Sequence, residues 1–196
     1  MYAGVPTWPY ARPTVPAKTV ERIVEEVSRR PSPEGISTRI VAIDGCGGAG
    51  KSTLAGLVAA ALGGAPVVCT DDFATWDNPV DWWPRLIAEV LEPLSRGEAA
   101  SYEPTSWAPG HEPARVDLHP APFVVLEGVT ATREASRPYL TYTVWVETPA
   151  DERLRRGLER GGLNTRDQWE SWMAEEEAYR ARERPDERAD LVVRGG

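Results

Sequence analysis

Gly45-Cys46-Gly47-Gly48-Ala49-Gly50-Lys51-Ser52, with Thr53 after it, is the stretch from which the rest of the chain is read. It fits the pattern G-x-x-x-x-G-K-[ST] at every fixed position. Before it runs Arg39-Ile40-Val41-Ala42-Ile43-Asp44, a β-branched run that reads as a buried strand. After it, Ser52 to Leu62 is rich in Ala and Leu and reads as a helix stopped by Gly63-Gly64. Glycines let the backbone curl so that several amide N–H groups face one hollow, and the helix N-terminus adds a partial positive charge. A polyphosphate seated there lies along the backbone of Gly45, Gly47, Gly48, Ala49, Gly50, Lys51, Ser52 and Thr53. Lys51 then reaches the β/γ-phosphates and Ser52 offers its hydroxyl to Mg²⁺. The expectation is a nucleoside triphosphate site.

A chain of 196 residues holds one α/β domain with a full core, and too few residues for two. A formal net charge of −8 argues against a nucleic-acid backbone or an anionic membrane as the main partner. The two cysteines, Cys46 and Cys69, form neither a disulfide framework nor a metal spacing, and read as packed thiols of a cytoplasmic protein. No apolar run approaches a membrane span, and the prolines of residues 1–16 do not make a signal peptide. Those residues read as a proline-rich arm ahead of a single domain over residues 17–196. A homodimer stays open.

Downstream, the segments alternate between strand and helix. Ala17 to Arg30 carries Val20, Ile23, Val24 and Val27 at helical spacing. Pro66 to Thr70 is a second strand, and it delivers Asp71-Asp72-Phe73 at the strand end where open parallel sheets bind ligands. The two acids read either as groups for a metal and a substrate hydroxyl or as a helix cap with a solvated neighbour. Trp82 and Trp83 read as core, lid packing or an apolar wall for a small polar substrate, with Trp83 the candidate contact, ahead of a helix from Pro84 to Leu94.

Residues 95–121 read as a long irregular segment or short paired strands, of the kind that works as a substrate loop, with Trp107 and His111 as its candidate contacts. Phe123 to Leu126 is a buried strand ending at Glu127-Gly128, an acid placed to hold the Mg²⁺ water shell, or else a cap or salt bridge. Tyr142 to Val146 is a fourth strand. Ala150 to Arg160 is an arginine-bearing helix broken at Gly161-Gly162. It reads as a lid over a transferring phosphoryl group or as a solvated helix with pairs such as Glu152–Arg156. Trp169 to Arg184 is a last charged helix, and Ala189 to Val193 a closing strand.

Four elements in this order carry a resemblance: the loop Gly45–Thr53, Asp71-Asp72-Phe73, Leu126-Glu127-Gly128, and the arginine lid leading to Ala189-Asp190-Leu191-Val192. From about Arg39 to Val193 the chain resembles the uridine kinase-like family of P-loop kinases, which includes phosphoribulokinase and bacterial pantothenate kinase. The resemblance implies a P-loop NTPase three-layer sandwich, with a five-stranded parallel sheet of order 2-3-1-4-5, helices on both faces and an arginine-rich lid at about 153–167. It implies ATP (or GTP) and Mg²⁺ as cofactors, and a small-molecule hydroxyl as acceptor. Asp71 then matches the catalytic carboxylate, Glu127 an acid near Mg²⁺ and substrate, and Arg156 and Arg160 the lid arginines acting with Lys51. Asp72 and Arg166 fall on the acceptor side. Where uridine kinases carry a Tyr-Asp-aromatic element, this chain has Thr105-Ser106-Trp107. A different reading, suggested by that departure, is a nucleotide-hydrolysing regulatory protein without an acceptor.

Overall fold

A computed structural model describes residues 15–75, 77–107, 110 and 113–195. His111 and almost all of the proline-rich arm lie outside them. The elements are α1 (Ala17–Arg29), β1 (Arg39–Asp44), α2 (Lys51–Ala61), β2 (Val67–Cys69), α3 (83–95), β3 (Ala100–Tyr102), β4 (Val116–Leu118), β5 (Phe123–Glu127), β6 (Tyr142–Glu147), α4 (Ala150–Gly161), α5 (Arg166–Glu183), α6 (Pro185–Arg188) and β7 (Leu191–Arg194).

The main sheet is parallel throughout, with β1 at its centre in the order β2-β5-β1-β6-β7. β3 and β4 form a separate antiparallel hairpin. Counting sheet members alone, the order is second, third, first, fourth, fifth, as the resemblance implies. The hairpin falls within residues 95–121, so that stretch contains short paired strands.

The alternation along β1 explains why helices cover both faces. Ile40 and Ala42 point to a core filled by Leu86, Val90, Leu91 and Leu94 of α3 and Trp172 of α5. Val41 and Ile43 point to the opposite core, with Ile23 and Val27 of α1 and Leu54, Ala55 and Val58 of α2. A strand buried on both sides reads as a continuous apolar run, which is why the pattern at 40–43 is unbroken. In α3 a π-turn over Ile87–Leu91 comes just before Pro93. Proline has no N–H for the carbonyl of Glu89 and its ring crowds that carbonyl, so the helix widens there.

The last long helix, α5, begins at Arg166, three residues before the Trp169 start read from the sequence. Among the described residues no helix is long and apolar enough to cross a membrane.

Candidate functional site

Sheet register builds the site. Glu127, the last residue of β5, pairs with Ile43 of β1 on one side and with Cys69 of β2 on the other. Three chain segments therefore leave the same edge side by side: the glycine loop after β1, Asp71-Asp72 after β2, and Gly128 onward after β5. Gly128 has φ 136°, and a Cβ there would lie 1.8 Å from the Thr70 hydroxyl oxygen. The glycine lets β2 and β5 close up, with the Thr70 hydroxyl donating to the Val129 carbonyl at 3.1 Å. That contact holds Asp71 beside Glu127.

The loop curls as expected and α2 starts at Lys51, with Gly50 at φ 98° as the left-handed residue before it. The Lys51 ammonium is nearly buried and donates to the Cys46 carbonyl at 3.0 Å, folded across its own loop. Ser52 is exposed in the first turn of α2. Glu127 is buried, accepts a hydrogen bond from the Cys69 thiol at 3.4 Å, and lies near the Ser52 hydroxyl, which favours its charged form. Burial pushes its carboxyl above the ordinary range; Lys51 pulls it down and Asp71 pushes it up. The three groups are thus close enough to sense one another's charge.

Asp71 lies exposed in the one-turn 3₁₀ segment Thr70–Asp72. Its carbonyl accepts the Trp107 indole N–H at 2.9 Å, and the Asp72 carbonyl accepts the Thr105 N–H at 2.6 Å. The Asp72 side chain accepts the Tyr102 hydroxyl at 2.8 Å, and its carboxyl is raised by burial against that hydrogen bond. β3 and the connection that leads on from it toward β4 are therefore fastened to the Asp71-Asp72 turn, with the Asp71 carboxylate exposed beside it. Trp107 also meets Trp172 of α5, ring centroids 5.9 Å apart. Trp83 is half-buried against the core, and one ring face is covered by the Arg133 guanidinium at 5.3 Å. Trp82 is fully core.

The arginines of α4 separate by role. The Arg156 guanidinium bonds the Gly48 carbonyl at 3.1 Å and Glu152 at 2.7 Å. That residue therefore makes the i,i+4 ion pair and also touches the glycine loop. Arg160 stacks over Trp169 at 5.5 Å, and Arg166 pairs in solvent with Glu170. Arg153, one turn before Arg156, is buried and pairs with Glu176 at 3.2 Å.

Two carboxylates stand out that residue patterns alone did not pick. Asp44 ends β1, fully buried. It accepts from the amides of Gly45 (2.7 Å), Thr130 (2.9 Å) and Thr132 (2.9 Å), and from the hydroxyls of Thr132 (2.7 Å) and Tyr179 (2.8 Å). Burial raises its carboxyl while these donors pull it back. Glu176 of α5 is also fully buried and accepts the Gly47 N–H and the Trp172 indole N–H, each at 2.7 Å. Around it α4 and α5 press on the loop. A Cβ on Gly47 would meet the Trp169 ring at 3.1 Å, and one on Gly48 the Arg153 carbonyl at 2.8 Å. These glycines thus serve close packing by α4 and α5 as well as loop curvature.

Among the described residues no three His, Cys, Asp or Glu side chains gather as a metal cage. The donors that do meet, the Ser52 hydroxyl and the Glu127 carboxylate, suit Mg²⁺, which keeps most of its waters and leans on one or two protein oxygens plus phosphate. Cys46 and Cys69 are free thiols. Burial pushes Cys46 up to about 12 and Cys69 up as well, so neither is a nucleophile at neutral pH.

No protein-family model and no curated protein matches the sequence. Solved structures do match the fold. One is named as a possible uridine kinase from Bacillus stearothermophilus: TM-score 0.68, 17% identity, 90% of this chain and 97% of the other covered. Another, from Silicibacter sp. TM1040, is named provisionally as a fructose transport system kinase: TM-score 0.66, 22% identity, with 89% and 98% covered. The chain thus carries, over nearly its whole length, the fold of these two kinase-named structures.

Proposed function

We propose that the protein is a small-molecule kinase, moving the terminal phosphoryl group of ATP (or GTP) to a hydroxyl of a small acceptor. One observation supports this above the others: the Asp71 turn stands beside the loop lysine and Glu127, with a separate hairpin fastened over it. A hydrolase needs no such second platform. The Lys51 ammonium and the loop amides hold the β/γ-phosphates, and Arg156 supplies charge from the lid side. Bound at Ser52 and Glu127, Mg²⁺ supplies charge neutralisation on the phosphate oxygens.

The acceptor oxygen attacks the terminal phosphorus. The bond from that phosphorus to the bridging oxygen breaks, the nucleoside diphosphate leaves, and the hydroxyl proton passes to Asp71. The aromatic ring of Trp107 and the carboxylate of Asp72, which Tyr102 holds in place, suit a polar alcohol with a flat or apolar part, nucleoside-like or related. On the other flank, a cavity of about 420 Å³ lined by Arg22, Gly50, Leu54, Val193 and Arg194 gives the donor's nucleoside part room.

A coupled assay of ADP release over a panel of hydroxyl compounds tests the reading. Release should depend on one acceptor class, and Asp71→Asn should slow it by about 10²- to 10⁴-fold, the usual worth of a positioned general base. Release that ignores every acceptor, with Asp71→Asn as active as the wild type, would overturn the kinase and favour the acceptor-free hydrolase.

A further inference from the structure

The loop amide of Gly47 donates to a carboxylate, 2.7 Å away, that belongs to the protein itself. Glu176 is wholly buried, and its oxygens have three donors: Gly47, the Trp172 indole and the Arg153 guanidinium. Lys51 is close enough to stabilise its charge. Amide, ammonium and guanidinium around one oxyanion is the chemical environment a terminal phosphate needs. The geometry points to Glu176 as an internal anion that occupies the phosphate loop when no nucleotide is bound and competes with the nucleotide's terminal phosphate.

Three features make this more than a chance contact. Glu176 comes from α5 and its guanidinium partner from α4, so the pair closes over the loop from the lid side. The two flanking residues on the same face of α5 are also committed: Trp172 donates to Glu176, and Tyr179 donates to Asp44 beneath the loop at 2.8 Å. And Trp169, one turn earlier, sits where a side chain on Gly47 would be. A phosphate with two negative charges cannot share Gly47 and Lys51 with an ionised glutamate at that range, because like charges in a buried site repel strongly. Nucleotide entry must therefore lift Glu176, and with it the middle of α5, off the loop. Lys51 and Arg153 are released to the phosphate in the same step. Glu176 in this role sets nucleotide affinity and couples site filling to lid movement.

This rests on the nucleotide reading above, and two measurements on the whole protein separate them. The first is calorimetric titration of ATP and GTP into the wild type and Glu176→Gln. Gln keeps the shape and an acceptor for Gly47 but drops the charge, so the nucleotide should bind about tenfold tighter. Equal or weaker binding by the variant overturns the competition while leaving the nucleotide site standing. Absence of binding in both proteins overturns the site and the competitor together. The second needs no variant, since Glu176→Gln strips Arg153 of its buried partner and could unfold the lid. Amide hydrogen exchange in the wild type should slow at 45–53 and quicken at 172–180 when ATP is added. Slowing at both stretches overturns the inference, because it would mean α5 clamps onto the nucleotide and Glu176 stays in place.

Discussion

Lys51 is a buried cation whose one hydrogen bond among the described residues goes to the carbonyl of Cys46, and it lies close enough to Glu127 and Glu176 to favour their charged forms. On the proposed kinase reading that charge serves the nucleotide more than the fold. Lys51→Ala should remove nucleotide turnover, yet lower the melting temperature by only about 3–12 °C. The lost hydrogen bond to a charged group is worth about 1.5–3 kcal/mol, and a chain this size shifts by about 2–4 °C per kcal/mol. A loss well beyond that would make the lysine a structural strut. Asp44 is the opposite case. Its five donors come from the loop, from the segment after β5 and from α5, so it is a tie between segments and not a reactant. The sequence did hold a cue: an ionisable residue closing an otherwise apolar strand, directly before the first loop glycine. Read as part of the strand, it passed without a role.

Elements with one apolar period were legible; those whose burial depends on partners elsewhere were not. The apolar runs at β1, β5 and β6 and the i, i+3, i+4, i+7 spacing of α1 gave their places within a residue or two. In the sequence α5 reads only as a charged helix. Its inward face is Trp169, Trp172, Glu176 and Tyr179, a stripe in which the central member is a carboxylate buried only because Gly47, Trp172 and Arg153 meet it. Periodicity weighs each residue by its own polarity, so a stripe with a glutamate in it reads as no stripe.

The junction of α4 and α5 allows a test at this scale. A Cβ on Gly157 would lie 2.7 Å from the Trp169 ring. Gly157→Ala improves helix propensity by about 1 kcal/mol, but a ring held by α5 cannot yield without moving the helix, and overpacking of this kind costs about 1–3 kcal/mol. The expected result is a net fall in melting temperature, read by calorimetry, together with altered nucleotide affinity. A gain in stability would show that Trp169 swings aside freely.

For the molecule as a whole, pH is the informative variable. Burial holds the Asp44 and Glu176 carboxyls above their unfolded-chain values. A group raised on folding contributes stability that is fully present below its unfolded pKa and is lost as pH rises through the folded one. Asp190 works the other way. Arg30 and both donors of Thr143 lower it, so its contribution is present above the ordinary aspartate range and is lost on acidification below it. With no ligand bound, the melting temperature should therefore fall as pH rises from mild acid through the folded-state values of these two carboxyls, and should fall again in strong acid as Asp190 is protonated. Melting scans across that range decide it. Steadily rising stability toward neutral pH would mean that the donors around Asp44 and Glu176 outweigh their burial.

The hydrogen bond from Tyr179 to Asp44 spans 135 positions of sequence, and that from Gly47 to Glu176 spans 129. Strand, loop and first wound helix leave the ribosome early, but two of the braces that hold the hollow in shape are encoded near the far end. During synthesis the glycine loop must wait, unbraced, until the final long helix has emerged and docked. A nascent chain stalled before residue 176 would therefore display the signature motif without a finished binding site.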